Sequence, residues 1–344
     1  MSIVFAIIIF SLIIIFHELG HFLVAKKCDV KVNEFCLGLG PTLLHFTKGE
    51  TTYSLKLLPF GGACMMEGED EESEDGRAFN NKSVWQRFAI VAAGPIFNFI
   101  MAYVLSVILI GAIGYDTPVI TGVMDGYSAE EQGMQAGDTI VSINNYRVHF
   151  YQEVSVYSFF HPGQEMKVTY LRDGEKHSAT ITPKYSEEDG RYLLGITGNY
   201  QREKGNVFKT LQYGFYEMKY QIYSTFQSLK MLFTGKLTVK DMSGPVGIVK
   251  TIGDTYDESV SSGVFYVIMN MLNIAVLLSA NLGVMNLLPF PALDGGRLVF
   301  FIIEAIRGKK IDENIEGRVH LIGFALLMGL MVVVMFNDIY KLFV

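Results

Sequence analysis

The sequence predicts a multi-span α-helical membrane protein with four transmembrane helices, a cytosol-facing membrane-associated β-hairpin and one extracytoplasmic α/β domain. Half of the 344 residues are hydrophobic, yet 18% are charged. Apolar stretches long enough to cross a hydrocarbon core of about 30 Å alternate with polar ones. The apolar stretches are residues 3–25, 88–114, 264–288 and 319–336. The net charge of -7 argues against nucleic acid as the main partner. The apolar stretches make membrane lipid and other membrane proteins the expected partners.

The first apolar stretch contains the motif His17-Glu18-Leu19-Gly20-His21. Residues four apart share one face of a helix, so His17 and His21 point the same way. Two imidazoles at this spacing with an intervening glutamate form the H-E-x-x-H pattern of zinc-dependent proteases. Ionisable side chains in a membrane are costly and usually mark a functional site. The alternative is a set of side chains that stabilise a helix bundle through hydrogen bonds.

Basic residues predict the orientation of the spans. They follow the first span, precede the second and separate the third from the fourth: Lys26, Lys27, Lys31, Lys82, Arg87, Arg297, Arg307, Lys309, Lys310 and Arg318. The positive-inside rule places these loops in the cytoplasm, so both termini and residues 115–263 are expected outside. His17 precedes Lys26 by nine residues. At 1.5 Å per helical residue this is about 13 Å, which places the motif in the cytoplasmic half of the membrane.

The chain divides into four predicted parts, 1–114, 115–198, 199–263 and 264–344. In the first part, Thr51–Leu58 has strand-forming residues and is followed by Pro59 and two glycines, which indicates a strand of a cytosolic hairpin. Its exposed edge could hold an extended peptide by strand addition, with Leu55 and Leu57 as candidate substrate-binding residues. An ordinary cytosolic hairpin is the alternative.

The second part reads as a compact water-exposed domain. Asp173-Gly174 between two strand-like runs is a strong hairpin signal. The string TGVMDGYSAEEQGMQAGDTIVSINNYRV resembles a PDZ domain, which implies a groove for a peptide carboxylate; a covering domain that binds nothing is the alternative. The third part has apolar residues every three or four positions over 206–234. They predict an amphipathic helix on the outer membrane surface, or else one packed on the PDZ-like domain.

A third metal ligand is expected from the end of the third span. Catalytic zinc has three protein ligands and one open position. Asp294 is the best candidate, because it follows the helix-breaking Pro289 and Pro291 and lies three residues before Arg297. Gly295 and Gly296 are expected to permit the backbone turn that aims the carboxylate inward.

H-E-x-x-H in the first span and N-x-x-P-x-P-x-L-D-G-G in the third resemble the site-2 protease family of intramembrane zinc metalloproteases. Two further segments match patterns of that family, Gly94–Asn98 and Ser243–Ile248. Four spans with a single PDZ-like domain are similar to its bacterial type. The resemblance implies one zinc ion held by His17, His21 and Asp294, with Glu18 as catalytic base. It also implies a substrate-binding role for Asn286, beside Pro289 and Pro291.

The resemblance implies hydrolysis of peptide bonds within transmembrane segments, in the bacterial plasma membrane. Expected substrates are single-span membrane proteins, such as an anti-sigma factor already trimmed by another protease, or remnant signal peptides. Two alternatives come from other classes: a membrane-tethered PDZ adaptor with a dead catalytic core, and a zinc-dependent membrane enzyme with a non-peptide substrate. The intact H-E-x-x-H and L-D-G-G segments argue against the adaptor.

Overall fold

The computed structural model describes residues 2–69, 73–198 and 201–343. It separates into two compact units. The spanning unit comprises the chain up to Leu105 and from Leu237 onward, and the inserted unit is Ser106–Lys236. Within the described residues, four helices are long and apolar enough to cross a membrane: Ile3–Lys27, Val84–Ile113, Val264–Asn286 and Asn314–Phe343. Each overlaps one of the four predicted spans.

The spanning unit is built from helices and one pair of long strands. Its elements are α1 (Ser2–Lys27), β1 (Val32–Lys48), β2 (Thr51–Met66), most of α2 (Val84–Ile113), α6 (Pro245–Val260), α7 (Val264–Asn286), α8 (Asp294–Arg307) and α9 (Glu313–Phe343). The helix α8 was not expected from the sequence. It has Asp294 in its first turn and Arg307 in its last, which suits the helix dipole. Gly308, at φ 67°, ends it in the left-handed conformation.

Two apolar clusters hold α1 in place along its length. The first joins α1 to α2, α6 and α7 through Ala6, Ile9, Ile13, Met101, Ile252, Val267, Met271 and Ala275. The second joins the end of α1 to both strands, the start of α2 and α8 through Ala25, Val30, Val32, Cys64, Met66, Phe79, Ile90, Val91, Ala92, Leu298 and Phe301. Contacts on several sides restrict the motion of α1, so the side chains of its H-E-x-x-H motif have a defined position.

The pairing of β1 with β2 corrects the expected peptide-binding edge. Thr52, Tyr53, Ser54 and Leu55 each pair with two residues of β1, one in its first half and one in its second. Leu55, for example, faces both Leu37 and Leu44. A stretch with partners on both sides has no free edge, so the expectation of strand addition beside Leu55 is wrong, whereas a substrate-binding role of the Leu55 side chain stays a prediction. Leu57 lies just beyond this stretch and is 53% exposed, and its substrate role stays a prediction.

The inserted unit contains short strands that form one sheet and two smaller pairs. Its strands are β3 (Ile120–Val123), β4 (Thr139–Ile143), β5 (Tyr146–Arg147), β6 (Met166–Arg172), β7 (Glu175–Ile181), β8 (Lys184–Ser186), β9 (Arg191–Leu193) and β10 (Ile196–Gly198). The four-stranded sheet has the order β5-β4-β6-β7, and the pairs are β10-β3 and β8-β9. Its helices are α3 (Ser128–Glu131), α4 (Tyr151–Phe160) and α5 (Val207–Phe233). The expected hairpin at Asp173-Gly174 joins β6 to β7, and both residues have positive φ.

The long helix α5 packs one face against the rest of the inserted unit. The rings of Tyr213 and Tyr115 are 3.6 Å apart, and those of Tyr223 and Tyr146 are 4.4 Å apart. Phe208 and Phe233 are instead exposed by 82% and 78%. The face of α5 that carries Tyr213 and Tyr223 is therefore packed on the inserted unit, which was the second of the two expectations for this helix. Placement of the other face on a membrane surface stays a prediction.

Candidate metal centre

The two histidines of α1 lie on one buried face, with their Nε2 atoms 3.2 Å apart. The Nδ1 atom of His21 is 2.9 Å from the carbonyl oxygen of Ile90. A carbonyl only accepts hydrogen bonds, so this Nδ1 carries the proton and donates it. The Nε2 lone pair of His21 is then free for a metal ion, which is how ligating histidines are usually oriented.

Asp294 completes a group of three possible ligands. Its Oδ2 atom is 3.3 Å from His17 Nε2 and 3.6 Å from His21 Nε2. Among the described residues, this group brings three ligand atoms within 4.8 Å of one another, and Asp294 Oδ2 is buried there without a hydrogen-bond partner. Ligands of a tetrahedral zinc ion at about 2.0–2.2 Å are roughly 3.3–3.5 Å apart. The donor set and its spacing therefore fit zinc.

The turn that aims Asp294 is not made by the glycines that follow it. Both belong to the first turn of α8, and the left-handed residue is Ala292, at φ 73°. Gly295 and Gly296 are required for space: a Cβ atom on Gly295 would overlap the carbonyl oxygen of Leu288, and one on Gly296 that of Phe290. The expectation that the glycines supply the turn is therefore wrong, because they permit close packing of the preceding loop on α8.

Glu18 lies beside the ligand group and is covered by the second half of β2. Its carboxylate accepts a hydrogen bond from the backbone N–H of Cys64. A Cβ atom on Gly62 would lie 3.2 Å from Glu18 Cγ, so the strand approaches closely here. The part of the strand pair that reaches the centre is therefore Gly62–Cys64, which sequence reasoning did not identify.

Two residues of α2 that received no individual role from the sequence contact the histidines. Asn98 is fully buried, and its Nδ2 atom is 3.2 Å from His17 Nδ1, whereas its Oδ1 has no partner among the described residues. Because amide orientation is an assignment, exchanging the two atoms lets Oδ1 accept from His17 Nδ1–H and frees His17 Nε2 for the metal. Gly94 faces both rings, and a Cβ atom there would overlap His21 Nε2. The sequence signal that could have identified Asn98 is its polar side chain within an apolar span, because such residues are usually functional.

The remaining expected residues are only partly brought together. Asn286, the last residue of α7, has its Nδ2 atom 3.5 Å from His17 Nε2 and so borders the centre. Pro291 packs against Gly323 of α9, and Pro289 is exposed. The substrate-binding roles of all three stay predictions.

Comparisons with known proteins agree on one family. The profile of peptidase family M50 matches residues 5–330. An inferred zinc metalloprotease of Clostridium acetobutylicum is 43% identical over 98% of this chain and 97% of its own length. Zinc metalloprotease RasP of Geobacillus kaustophilus is 33% identical over 99% of this chain and 98% of its own. The regulator of sigma-W protease RasP of Bacillus subtilis is 33% identical over 98% of both chains.

Solved structures match a part of the chain. The PDZ domain of the SdrC-like protein of Listeria monocytogenes is 24% identical, with a TM-score of 0.22. This similarity covers 25% of the present chain and 90% of the Listeria domain.

Proposed function

The chain belongs to peptidase family M50, the site-2 protease family, and we propose that this zinc metalloprotease hydrolyses peptide bonds within transmembrane segments of other membrane proteins. The observation that carries the proposal is the convergence of His17, His21 and Asp294 beside Glu18. Three of these residues lie on the candidate span α1, and Asp294 begins α8, shortly after the candidate span α7. A peptidase centre on such helices is suited to substrates that are themselves in the membrane. Single-span proteins are the proposed substrates. The name of the Bacillus subtilis relative favours an anti-sigma factor among them.

The chain's own residues supply binding, orientation and proton transfer. His17, His21 and Asp294 would hold Zn²⁺, which when bound would supply Lewis acidity toward the scissile carbonyl and the attacking water. Glu18 accepts the proton of that water and passes it to the leaving amine. The Nδ1–H of His21, bonded to the carbonyl of Ile90, keeps its ring aligned. The amide of Asn286 is the proposed donor to the reacting carbonyl.

The active site is proposed to face the cytoplasmic half of the plasma membrane, with both termini and the inserted unit outside. Support comes from the basic residues that follow α1, precede α2 and separate α7 from α9. Two of them are held by ion pairs: Arg297 Nη1 lies 2.5 Å from Glu69 Oε1, and Arg87 Nη2 lies 2.5 Å from Glu304 Oε1. In this orientation the exposed phenylalanines of α5 would rest on the outer membrane surface, and the PDZ-like inserted unit would inspect or exclude substrates.

The substrate is proposed to bind in extended form along the outer edge of Gly62–Met66. A helical peptide bond is shielded by its neighbours, so cleavage requires local unwinding, and an unwound segment needs partners for its backbone groups. This stretch of β2 pairs with the first half of β1 on one side and meets Glu18 on the other. A peptide added at this edge would pass the catalytic base.

Disulfide crosslinking tests this placement. The native cysteines are replaced by serine in a Glu18→Gln background, and a single cysteine is introduced by Met65→Cys, Leu57→Cys or Phe46→Cys. We expect cysteines near the substrate's cleavage site to crosslink at position 65 and not at position 46, which lies on the opposite edge. Crosslinking confined to position 57 would instead support the edge expected from the sequence.

The proposed function itself is tested by metal removal. In membranes, the protein is incubated with a tagged single-span substrate, with and without 1,10-phenanthroline, and the products are mapped by mass spectrometry. We expect cleavage inside the substrate's apolar segment, its loss on chelation and its return when Zn²⁺ is added. Cleavage only outside the apolar segment, or cleavage insensitive to the chelator, would contradict the proposal.

A further inference from the structure

Through His320, the helix α9 contacts the ligand loop, residues 287–293, which leads from α7 to the proposed third ligand Asp294. Nδ1 of His320 lies 2.9 Å from the backbone nitrogen of Ala292, two residues before Asp294. A backbone nitrogen only donates, so Nδ1 is the acceptor and the proton of this neutral ring is on Nε2. The contact joins residues 28 positions apart, from an apolar span to the ligand loop.

The residue that His320 holds has an unfavourable backbone conformation. Ala292 has φ 73°, a left-handed value that residues with a Cβ atom adopt rarely. Such a conformation persists only where the surroundings impose it, and it often accompanies functional sites. Here it turns the chain between Pro291 and α8, whose first residue is Asp294.

A second contact on the same face of α9 fixes the preceding residue. Gly323 lies three positions after His320, so the two share one side of the helix. A Cβ atom on Gly323 would lie 2.6 Å from the carbonyl oxygen of Pro291. The glycine therefore allows the backbone of α9 to contact the loop directly at Pro291, the residue before the one that donates to His320.

The arrangement leaves part of the histidine without a partner. Among the described residues, His320 Nε2 is buried without a hydrogen bond, and Glu316 Oε1 is 3.9 Å away. A buried polar atom in this state is costly, so mere packing would be served better by an apolar side chain. Compared with an apolar side chain, the imidazole adds one feature, the Nδ1 atom that accepts the hydrogen bond from the backbone N–H of Ala292.

We propose that His320 is a positioning residue that fixes the left-handed turn at Ala292 and so aims Asp294 at the metal ion. Its hydrogen bond is to the backbone of Ala292, and it acts through that backbone. The inference rests on the proposed metal centre and deepens it, because it identifies what holds the third ligand in place. It requires only that the chain bind zinc, whatever its substrate.

The test compares side chains that keep or lose this acceptor. In Asn, Oδ1 is as many bonds from Cα as Nδ1 is in His, whereas Gln extends one bond further and Leu has no acceptor. The full-length wild type and the variants His320→Asn, His320→Gln and His320→Leu are purified in detergent, and zinc affinity is measured by chelator competition. We expect His320→Leu and His320→Gln to weaken zinc binding by about 10–100-fold, as loss of outer-shell support typically does, and His320→Asn to stay within about twofold of wild type.

Two further measurements separate positioning from a general structural role. In Co²⁺-loaded protein, His320→Leu should shift the visible absorption bands, which report coordination geometry, and His320→Asn should restore them. Exposed His45 on the strand pair supplies a matched control, since His45→Leu should leave both readouts unchanged. Wild-type zinc affinity in His320→Leu, or an Asn variant as weak as the Leu variant, would overturn the proposal. Neither readout uses a substrate, so a failure of the proposed intramembrane cleavage would not be confused with these outcomes.

Discussion

Glu18→Gln is expected to slow cleavage of a single-span substrate by about 10²–10⁴-fold while zinc content stays at the wild-type level. The substitution keeps the size and the hydrogen-bonding oxygen of the side chain, so the bond from Cys64 N–H is retained. It removes the carboxylate that is the proposed acceptor of the water proton. The ligand atoms of His17, His21 and Asp294 are unchanged, and the metal should remain bound.

The measurement is single-turnover cleavage in membranes, with zinc determined on the same purified preparations. Glu187→Gln is the control, because that glutamate is exposed in the inserted unit. Wild-type cleavage by Glu18→Gln would show that another group is the base. Loss of zinc from Glu18→Gln would show that this residue supports the metal centre instead.

Gly94→Ala is expected to weaken zinc binding on the order of 100-fold and to abolish cleavage with it. The new Cβ atom would overlap His21 Nε2 and lie 2.7 Å from His17 Cε1, so both rings must leave their ligating positions. The loss would occur although alanine is favoured over glycine in a helix by about 1 kcal/mol. The effect therefore comes from the site and not from the stability of α2.

The matched control is Gly111→Ala on the same helix. A Cβ atom there meets Thr210 Cγ2 at 3.5 Å, which is ordinary contact. Zinc affinity by chelator competition and thermal unfolding are measured for both variants. Undiminished zinc binding by Gly94→Ala would contradict the placement of the two rings against α2.

The predictable part of the centre depends on local spacing. His17 and His21 share a face because helix geometry requires it at a separation of four residues, and the structure agrees. Asp294 was found from the helix-breaking prolines and the nearby arginine, which are also local signals. The four candidate spans were predictable because a membrane requires long apolar runs.

The unpredictable part depends on contacts between distant segments. The double pairing of Thr52–Leu55 arises because both halves of β1 bend around the same stretch of β2, and alternation of residues does not reveal which edge is free. The tight fit of Gly94 against the histidines and the bond from Ala292 to His320 likewise join segments that are far apart in the sequence. The role of Gly295 and Gly296 is also hidden in the sequence. A glycine can be required for a positive φ or for the close approach of another segment, and the sequence does not show which of the two applies.

Local signals in the sequence were enough to predict the family, the class of chemistry and the three candidate metal ligands, because motif spacing on a helix and apolar length are properties of short segments. The remaining features depend on the assembled fold: the strand edge that meets Glu18, the left-handed residue before Asp294, and the side chains of α2 and α9 that contact His17 and the backbone of Ala292. These features depend on close packing between elements, where a single Cβ atom or hydrogen-bond acceptor determines the fit. Such a fit is fixed only when the helices are assembled.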